Sequence, residues 1–357
     1  MSKFWSDAIR DLTPYVPGEQ PKVSNIIKLN TNENPFGPSP KVTHAIHSFE
    51  SNKLRKYPDP DSTSLKNTLA DYYNVSSNQV FVGNGSDEVL AHAFMAFFRQ
   101  KEPLLMPTIT YSFYDVYCNL YNINYEHISL GDDFSIDLTR YQRPNGGIIF
   151  ANPNAPTGKA LTLDAIEGLL NTNTESVVIV DEAYVDFGAQ SAVSLINKYP
   201  NILVIQTFSK SRSLAGMRVG FALGNAELIE GLERVKNSFN SYPLDMLAQD
   251  TAIAAIQDEQ YFQETTQQII STREWTTAQL ESIGFNVVPS KTNFVFATHR
   301  YLPGAELMGF LRTHNILVRH FSRPGIENHL RITIGTPDEM RAFIDCLKKH
   351  PDISTLD

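Results

Sequence analysis

Lys210 follows the unbroken apolar run Ile202-Leu203-Val204-Ile205 and sits in Thr207-Phe208-Ser209-Lys210-Ser211-Arg212-Ser213-Leu214-Ala215-Gly216-Met217-Arg218. The run reads as a buried strand, so a primary amine is delivered to the carboxyl edge of a sheet. An amine so placed can form a Schiff base with an aldehyde. The flanking hydroxyls and the guanidinium of Arg218 suit a phosphate. Any single Ser-Lys pair reads most simply as solvated surface. The whole string is far more specific than that pair.

Two further apolar runs end in polar clusters. Ile148-Ile149-Phe150 leads to Asn152-Pro153-Asn154-Ala155-Pro156-Thr157-Gly158, and Val177-Val178-Ile179-Val180 leads to Asp181-Glu182-Ala183-Tyr184. Ligands of open α/β sheets bind beyond the carboxyl ends of the strands, so three such ends can converge on one ligand. Taken singly, Asn-Pro and Pro-Thr-Gly are common turns and Asp-Glu can cap a helix. Their order and shared strand context favour convergence. Earlier, Val80-Phe81-Val82 leads into Gly83-Asn84-Gly85-Ser86-Asp87-Glu88, ahead of an apolar helix over Val89–Phe98. Glycines before a helix N-terminus leave backbone N–H groups free for an anion. The third glycine of a dinucleotide fingerprint is missing, and no Gly-Lys-Ser/Thr follows, so the cradle suits a monophosphate.

These ends must be held by a sheet. Continuous apolarity without alternation implies strands covered on both faces, and strand–helix alternation implies a mainly parallel α/β sheet. The 357 residues exceed one compact core. The expected division is an N-terminal arm (1–35) that packs with the small domain, a large α/β domain (36–255) and a small α+β domain (256–357). Within this plan 246–283 reads as long and helical. Strands are expected at Phe294–Phe296, Ile316–Val318 and Leu330–Ile334, with helices over Ala305–Thr313 and from Pro337.

Bulk properties narrow the partners. A net charge of −9 disfavours nucleic acid and anionic membrane surfaces. Cys118 and Cys346, far apart, form neither a metal motif nor a disulfide framework. His44 and His47 could share a helix face, but no third ligand accompanies them, so no metal is expected. The N-terminus lacks a signal-peptide apolar core, and no run reaches spanning length. A cytoplasmic protein is expected.

Further motifs occur in one order along nearly the whole chain. Asn32-Glu33-Asn34-Pro35-Phe36-Gly37-Pro38 and Tyr57-Pro58-Asp59 precede the clusters above, and Leu330-Arg331-Ile332-Thr333-Ile334-Gly335 follows them. With these motifs the chain resembles the histidinol-phosphate aminotransferases, fold-type I pyridoxal-phosphate enzymes. The resemblance implies a seven-stranded, mainly parallel sheet between helices, and pyridoxal 5'-phosphate as cofactor. It implies that Lys210 holds the cofactor aldehyde as a Schiff base and moves the α-proton, that Asp181 pairs with the ring nitrogen, and that Tyr184 bonds the phenolic oxygen. It places Tyr111 on the ring, and Ser86, Asp87 (through its backbone N–H), Ser209 and Arg218 on the phosphate. Tyr57 reaches the cofactor of a neighbouring subunit, which implies a homodimer with shared sites. Arg319 and Arg331 receive the substrate phosphate, Arg331 also the glutamate carboxylate, and Tyr15 closes over the substrate. The implied substrates are histidinol phosphate and glutamate/2-oxoglutarate.

One position departs from the family pattern. The residue before Pro-Thr-Gly is Ala155 where the family has Asn donating to the phenolic oxygen. Either Asn154 substitutes or that oxygen relies on Tyr184. Other readings are a broad or aromatic amino-acid aminotransferase, a phospho-amino-acid decarboxylase, and a non-enzymatic regulator. The last needs a DNA-binding module for which the chain shows no basic recognition helix.

Overall fold

The computed structural model describes residues 2–10, 12–16, 18–20 and 25–354; the rest of the arm and the last three residues lie outside this description. Twelve strands among the described residues make two sheets. The first strand, β1 (Ile27–Leu29), belongs to the smaller sheet. The larger sheet has seven strands: β2 (Val80–Asn84), β3 (Leu104–Pro107), β4 (Tyr125–Ile128), β5 (Gly147–Ala151), β6 (Val178–Asp181), β7 (Ile202–Thr207) and β8 (Val219–Gly224). Their order is β2-β8-β7-β6-β5-β3-β4. Neighbours pair in parallel except β8, which runs antiparallel to both β7 and β2.

The core shows why these strands are apolar throughout. Successive side chains of a strand point to opposite faces. Val178, Val180, Ile202 and Val204 enter one core with Leu65, Leu69, Ile166 and Ala252 of flanking helices. Ile179, Leu203 and Ile205 enter another with Val89, Phe94, Tyr114 and Leu232. With helices on both faces, neither register tolerates a polar residue.

The sequence reading did not place β3, β4 or β8. The edge strand β4 is largely exposed at Glu126 and His127, so it lacks an apolar run. In β8, Gly220 and Gly224 interrupt the β-branched pattern, yet every residue is buried. The long helical stretch is two helices, Met246–Ile256 and Glu259–Ser282, and Asp245 caps the first through the N–H of Ala248.

The smaller sheet adds β9 (Phe285–Val288), β10 (Phe294–His299), β11 (Ile316–His320) and β12 (Leu330–Thr333), in the order β1-β11-β12-β10-β9. Its core gathers Leu29, Val295, Leu307, Ile332, Phe343 and Leu347. A capping box at Thr336 and Glu339, with Pro337 in the first turn, starts the helix Pro337–Leu347 that covers it.

Candidate active site

Strand direction gathers the site. The carboxyl ends of β2, β5, β6 and β7 lie at one edge of the large sheet. Because β8 is antiparallel, its beginning lies at that same edge, and Arg218 immediately precedes it. Two adjoining cavities open there. One, of about 250 Å³, is lined by Ser86, Asp87, Tyr111, Asp181, Tyr184, Ser209, Lys210 and Arg218. The other, of about 410 Å³, shares Lys210, Tyr111, Tyr184 and Arg218 and reaches Tyr15, Arg319 and Arg331.

The first cavity carries a built anion cradle. The helix Gly85–Phe97 points its N-terminus at it. Gly85 has φ +79°, and a Cβ there would lie 2.3 Å from Arg218 Nη2. A Cβ on Gly220 would lie 2.2 Å from the backbone N of Ser86. Both glycines are therefore required for β8 and Arg218 to approach the first turn of the helix. The Asp87 carboxylate holds two residues in place, accepting from Tyr111 Oη at 3.0 Å and from Arg218 Nη2 at 3.1 Å. The hydroxyls of Ser86 and Ser209, the helix N–H groups and Arg218 together fit a phosphate.

At the end of β6, Asp181 is buried. Its carboxylate accepts from Tyr114 Oη at 2.7 Å and from the Ala183 N–H at 3.2 Å. Burial raises its pKa to about 6, and the nearby Asp87 charge adds to this, while the two hydrogen bonds and Lys210 oppose it. A buried carboxylate with spare lone pairs fits a cationic ring nitrogen. Next to it, Lys210 Nζ lies 5.6 Å from the Tyr184 ring centroid and 3.4 Å from the carbonyl of Thr31.

The second cavity ends at the smaller sheet. Arg319 and Arg331 stand directly opposite each other on β11 and β12. Arg331 Nη2 donates to the carbonyl of Asn30 at 2.9 Å, and its Nε has no hydrogen-bond partner among the described residues. Burial pulls the Arg331 guanidinium below its ordinary pKa; Tyr184 opposes this and the facing Arg319 adds to it. Neither arginine has a carboxylate partner among the described residues. Two adjacent guanidiniums without a counter-charge form a site for an anion.

A family model described as aminotransferase class I and II matches residues 24–347. The chain belongs to this aminotransferase family. It is 58% identical over 353 residues to histidinol-phosphate aminotransferase 2 of Dechloromonas aromatica, covering 98% of this chain and 99% of that protein. It is 59% identical over 352 residues to histidinol-phosphate aminotransferase 1 of Hydrogenovibrio crunogenus, with the same coverage. The structure of histidinol-phosphate aminotransferase from Sinorhizobium meliloti, in complex with pyridoxal-5'-phosphate, superposes with TM-score 0.87 at 22% identity, covering 99% of this chain and 98% of that one. That likeness shows the same fold.

Two of the expected residues of this aminotransferase stand outside the cavities. Tyr57 is 80% exposed and stacks on Tyr242 at 4.8 Å. Asn154 is buried with its amide committed to the scaffold: Nδ2 donates to the carbonyl of Ile109 at 2.9 Å and to Thr157 Oγ1 at 3.1 Å, and Oδ1 accepts from Thr110 at 2.9 Å. Both amide hydrogens are spent, so Asn154 braces the β5 loop and leaves Ala155 and Pro156 at the cavity wall. Of the two alternatives for the phenolic oxygen, donation by Asn154 is thereby corrected, and reliance on Tyr184 is left. His44 and His47 lie exposed on the helix Pro40–Ser48.

Sequence reasoning missed Tyr114, treated as packing, which holds the Asp181 carboxylate. It also assigned nothing to Asn32, whose Nδ2 donates to Tyr184 Oη at 2.9 Å. The signal for Tyr114 was a tyrosine one helical turn after Tyr111, on the helix Phe113–Tyr121. For Asn32 it was the Asn-Glu-Asn-Pro motif.

Proposed function

We propose that this aminotransferase interconverts histidinol phosphate plus 2-oxoglutarate and imidazole acetol phosphate plus glutamate, in histidine biosynthesis, with pyridoxal 5'-phosphate as cofactor. The observation that carries the reading is the unpaired Arg319–Arg331 face on the cavity that also holds Lys210. The near-full-length similarity to the named relatives supports it.

When bound, the cofactor supplies an aldehyde that condenses with amines and a ring that delocalises the electron pair left by proton loss. Ser86, Ser209, Arg218 and the Asp87 N–H hold its phosphate. Asp181 keeps the ring nitrogen protonated, Tyr111 covers the ring, and Tyr184 donates to the phenolic oxygen. Lys210 Nζ would hold the cofactor aldehyde and, as a free amine, would take the α-proton from the substrate. Arg331 and Arg319 grip the substrate phosphate, and Arg331 alone grips the carboxylate of glutamate. Tyr15, packed on Phe113 at 4.8 Å, closes the cavity mouth.

The proposed assembly is a homodimer in which exposed Tyr57 reaches the neighbouring subunit's site. The proposed division is an arm over 1–35, a large domain over 36–255 and a small domain over 256–357. The two cysteines are free and buried, and no helix among the described residues is long and apolar enough to cross a membrane. Both facts support a cytoplasmic setting.

The test is the absorbance spectrum of the cofactor-loaded protein before and after histidinol phosphate, with no keto acid present. Conversion of the cofactor band to that of the aminated cofactor is expected. A band that ignores histidinol phosphate but responds to tyrosine or phenylalanine would instead support the aromatic aminotransferase.

A further inference from the structure

The Asn32-Glu33-Asn34-Pro35 motif has no part in the reaction as described so far. Yet the segment from Asn30 to Asn34 touches the site at successive residues. The Asn30 carbonyl accepts from Arg331, and the Thr31 carbonyl faces Lys210 Nζ. Asn32 Nδ2 bonds Tyr184 Oη, and Asn34 Nδ2 donates to the carbonyls of Lys210 at 3.0 Å and Ser211 at 3.2 Å.

Asn32 is the most tightly held of these residues. It is 1% exposed and takes the left-handed backbone, φ 59°. Its N–H donates to Thr333 Oγ1 at 3.0 Å, and its carbonyl accepts from Asn293 Nδ2 at 3.0 Å. Thr333 Oγ1 in turn donates its own hydrogen to Asn32 Oδ1, at 3.0 Å. With Oδ1 on the Thr333 hydroxyl, Nδ2 faces Tyr184 Oη. A phenol hydrogen lies near the ring plane, on one side or the other. The Asn32 donor excludes the side it occupies.

We propose that Asn32 is a positioning residue that turns the Tyr184 hydroxyl hydrogen into the cavity, toward the phenolic oxygen of the cofactor. The proposal rests on the assignment of Tyr184 to that oxygen. It gains weight from the β5 loop, which presents Ala155 and Pro156 to the cavity while the Asn154 amide is spent elsewhere. Tyr184 therefore carries the donation without help from that loop. Thr333 stands two residues beyond Arg331 on β12, so the substrate-binding sheet itself fixes Asn32.

The pH midpoint of the absorbance change in the cofactor-loaded protein reads this directly. A donor to the phenolic oxygen stabilises its anionic form, so loss of the donor raises the midpoint. Tyr184→Phe is expected to raise it by about one pH unit. Asn32→Asp keeps the size and the Thr333 contact but sets an acceptor against the phenol, which draws its hydrogen away from the cavity. Its midpoint should rise as far as that of Tyr184→Phe. Asn32→Gly keeps the left-handed backbone and frees the phenol to rotate, for a rise of roughly half as much. In the Tyr184→Phe background Asn32→Gly should not move the midpoint again. Wild-type midpoints in both Asn32 variants, beside a shifted Tyr184→Phe, would overturn the proposal while sparing the Tyr184 assignment. A further shift on adding Asn32→Gly to Tyr184→Phe would overturn it as well. An unmoved Tyr184→Phe would remove the Tyr184 assignment, and the proposal with it.

Discussion

The edge of the large sheet and the facing strands of the small sheet line one continuous site, but they hold their charges differently. At the large-sheet edge both carboxylates have side-chain or backbone donors. Asp181 is bonded by Tyr114 and Ala183, and Asp87 is bonded by Tyr111 and Arg218. On the small sheet, among the described residues, Arg331 bonds a backbone carbonyl and Arg319 faces it across the ladder, neither with a carboxylate partner. Two like charges opposite each other on neighbouring strands are unfavourable. Under the proposed function an incoming anion satisfies both. Under that function one side is thus pre-organised for fixed chemistry, and the other holds its charge for an incoming substrate.

This comparison can be broken in four places. The largest effect is expected at Lys210. Lys210→Ala should lower turnover by about 10⁴-fold or more, since both the anchoring amine and the proton carrier are lost. Steady-state assays with histidinol phosphate and 2-oxoglutarate check this, and undiminished turnover would remove Lys210 from the chemistry.

On the opposite side the effect should appear in binding. Arg331→Ala should lower kcat/KM by about 10²-fold for both substrates, because charged hydrogen bonds contribute about 1.5–3 kcal/mol each. Arg319→Ala should cost about 10-fold, confined to the phosphorylated substrate. Equal losses for glutamate and histidinol phosphate in Arg319→Ala would show that the two arginines do not divide the work.

A third experiment tests how far pre-organisation strains the large-sheet edge. The Asp181 pKa is raised by burial to about 6. Its contribution to stability is therefore present in full below the unfolded carboxylate pKa and is lost as pH rises through about 6. In cofactor-free protein, Asp181→Asn should be more stable than wild type at neutral pH by up to about 3 kcal/mol. That advantage should vanish near pH 4, an outcome read from denaturant midpoints. A constant difference across this range would mean that Asp181 is not the strained group.

The smallest effect concerns the residue that neither region holds. Tyr57→Phe should weaken cofactor retention several-fold, about the worth of one neutral hydrogen bond. Sedimentation of the cofactor-loaded wild type should show a dimer. A monomer with full activity would refute the shared site.

Much of the large-sheet edge was legible because its signals are local. An apolar strand followed at once by Asp181 or Lys210 states both where the side chain goes and what it can do. The same holds for the Gly-Asn-Gly-Ser cradle before its helix. The small-sheet arginines were legible only by resemblance, since Arg319 and Arg331 sit in short strands whose pairing the chain does not announce. Residues that act through another residue left little trace. Tyr114 reaches Asp181 across 67 residues, and Asn32 reaches Tyr184 across 152. Whether Asn154 replaces the Asn missing at Ala155 stayed open in the sequence, because spacing does not say which side chains of a tight loop face inward.

From the sequence by itself came the amine at a strand end, the phosphate cradle and the layered α/β plan, because strand periodicity, glycine placement and helix starts are set by neighbours in the chain. The tertiary structure alone decided the direction of β8, the facing of Arg319 and Arg331, and the contacts of Asn32 and Tyr114. Those depend on which distant strands pair and which buried polar groups must satisfy one another. Pairing and satisfaction of that kind are settled only when the whole core closes.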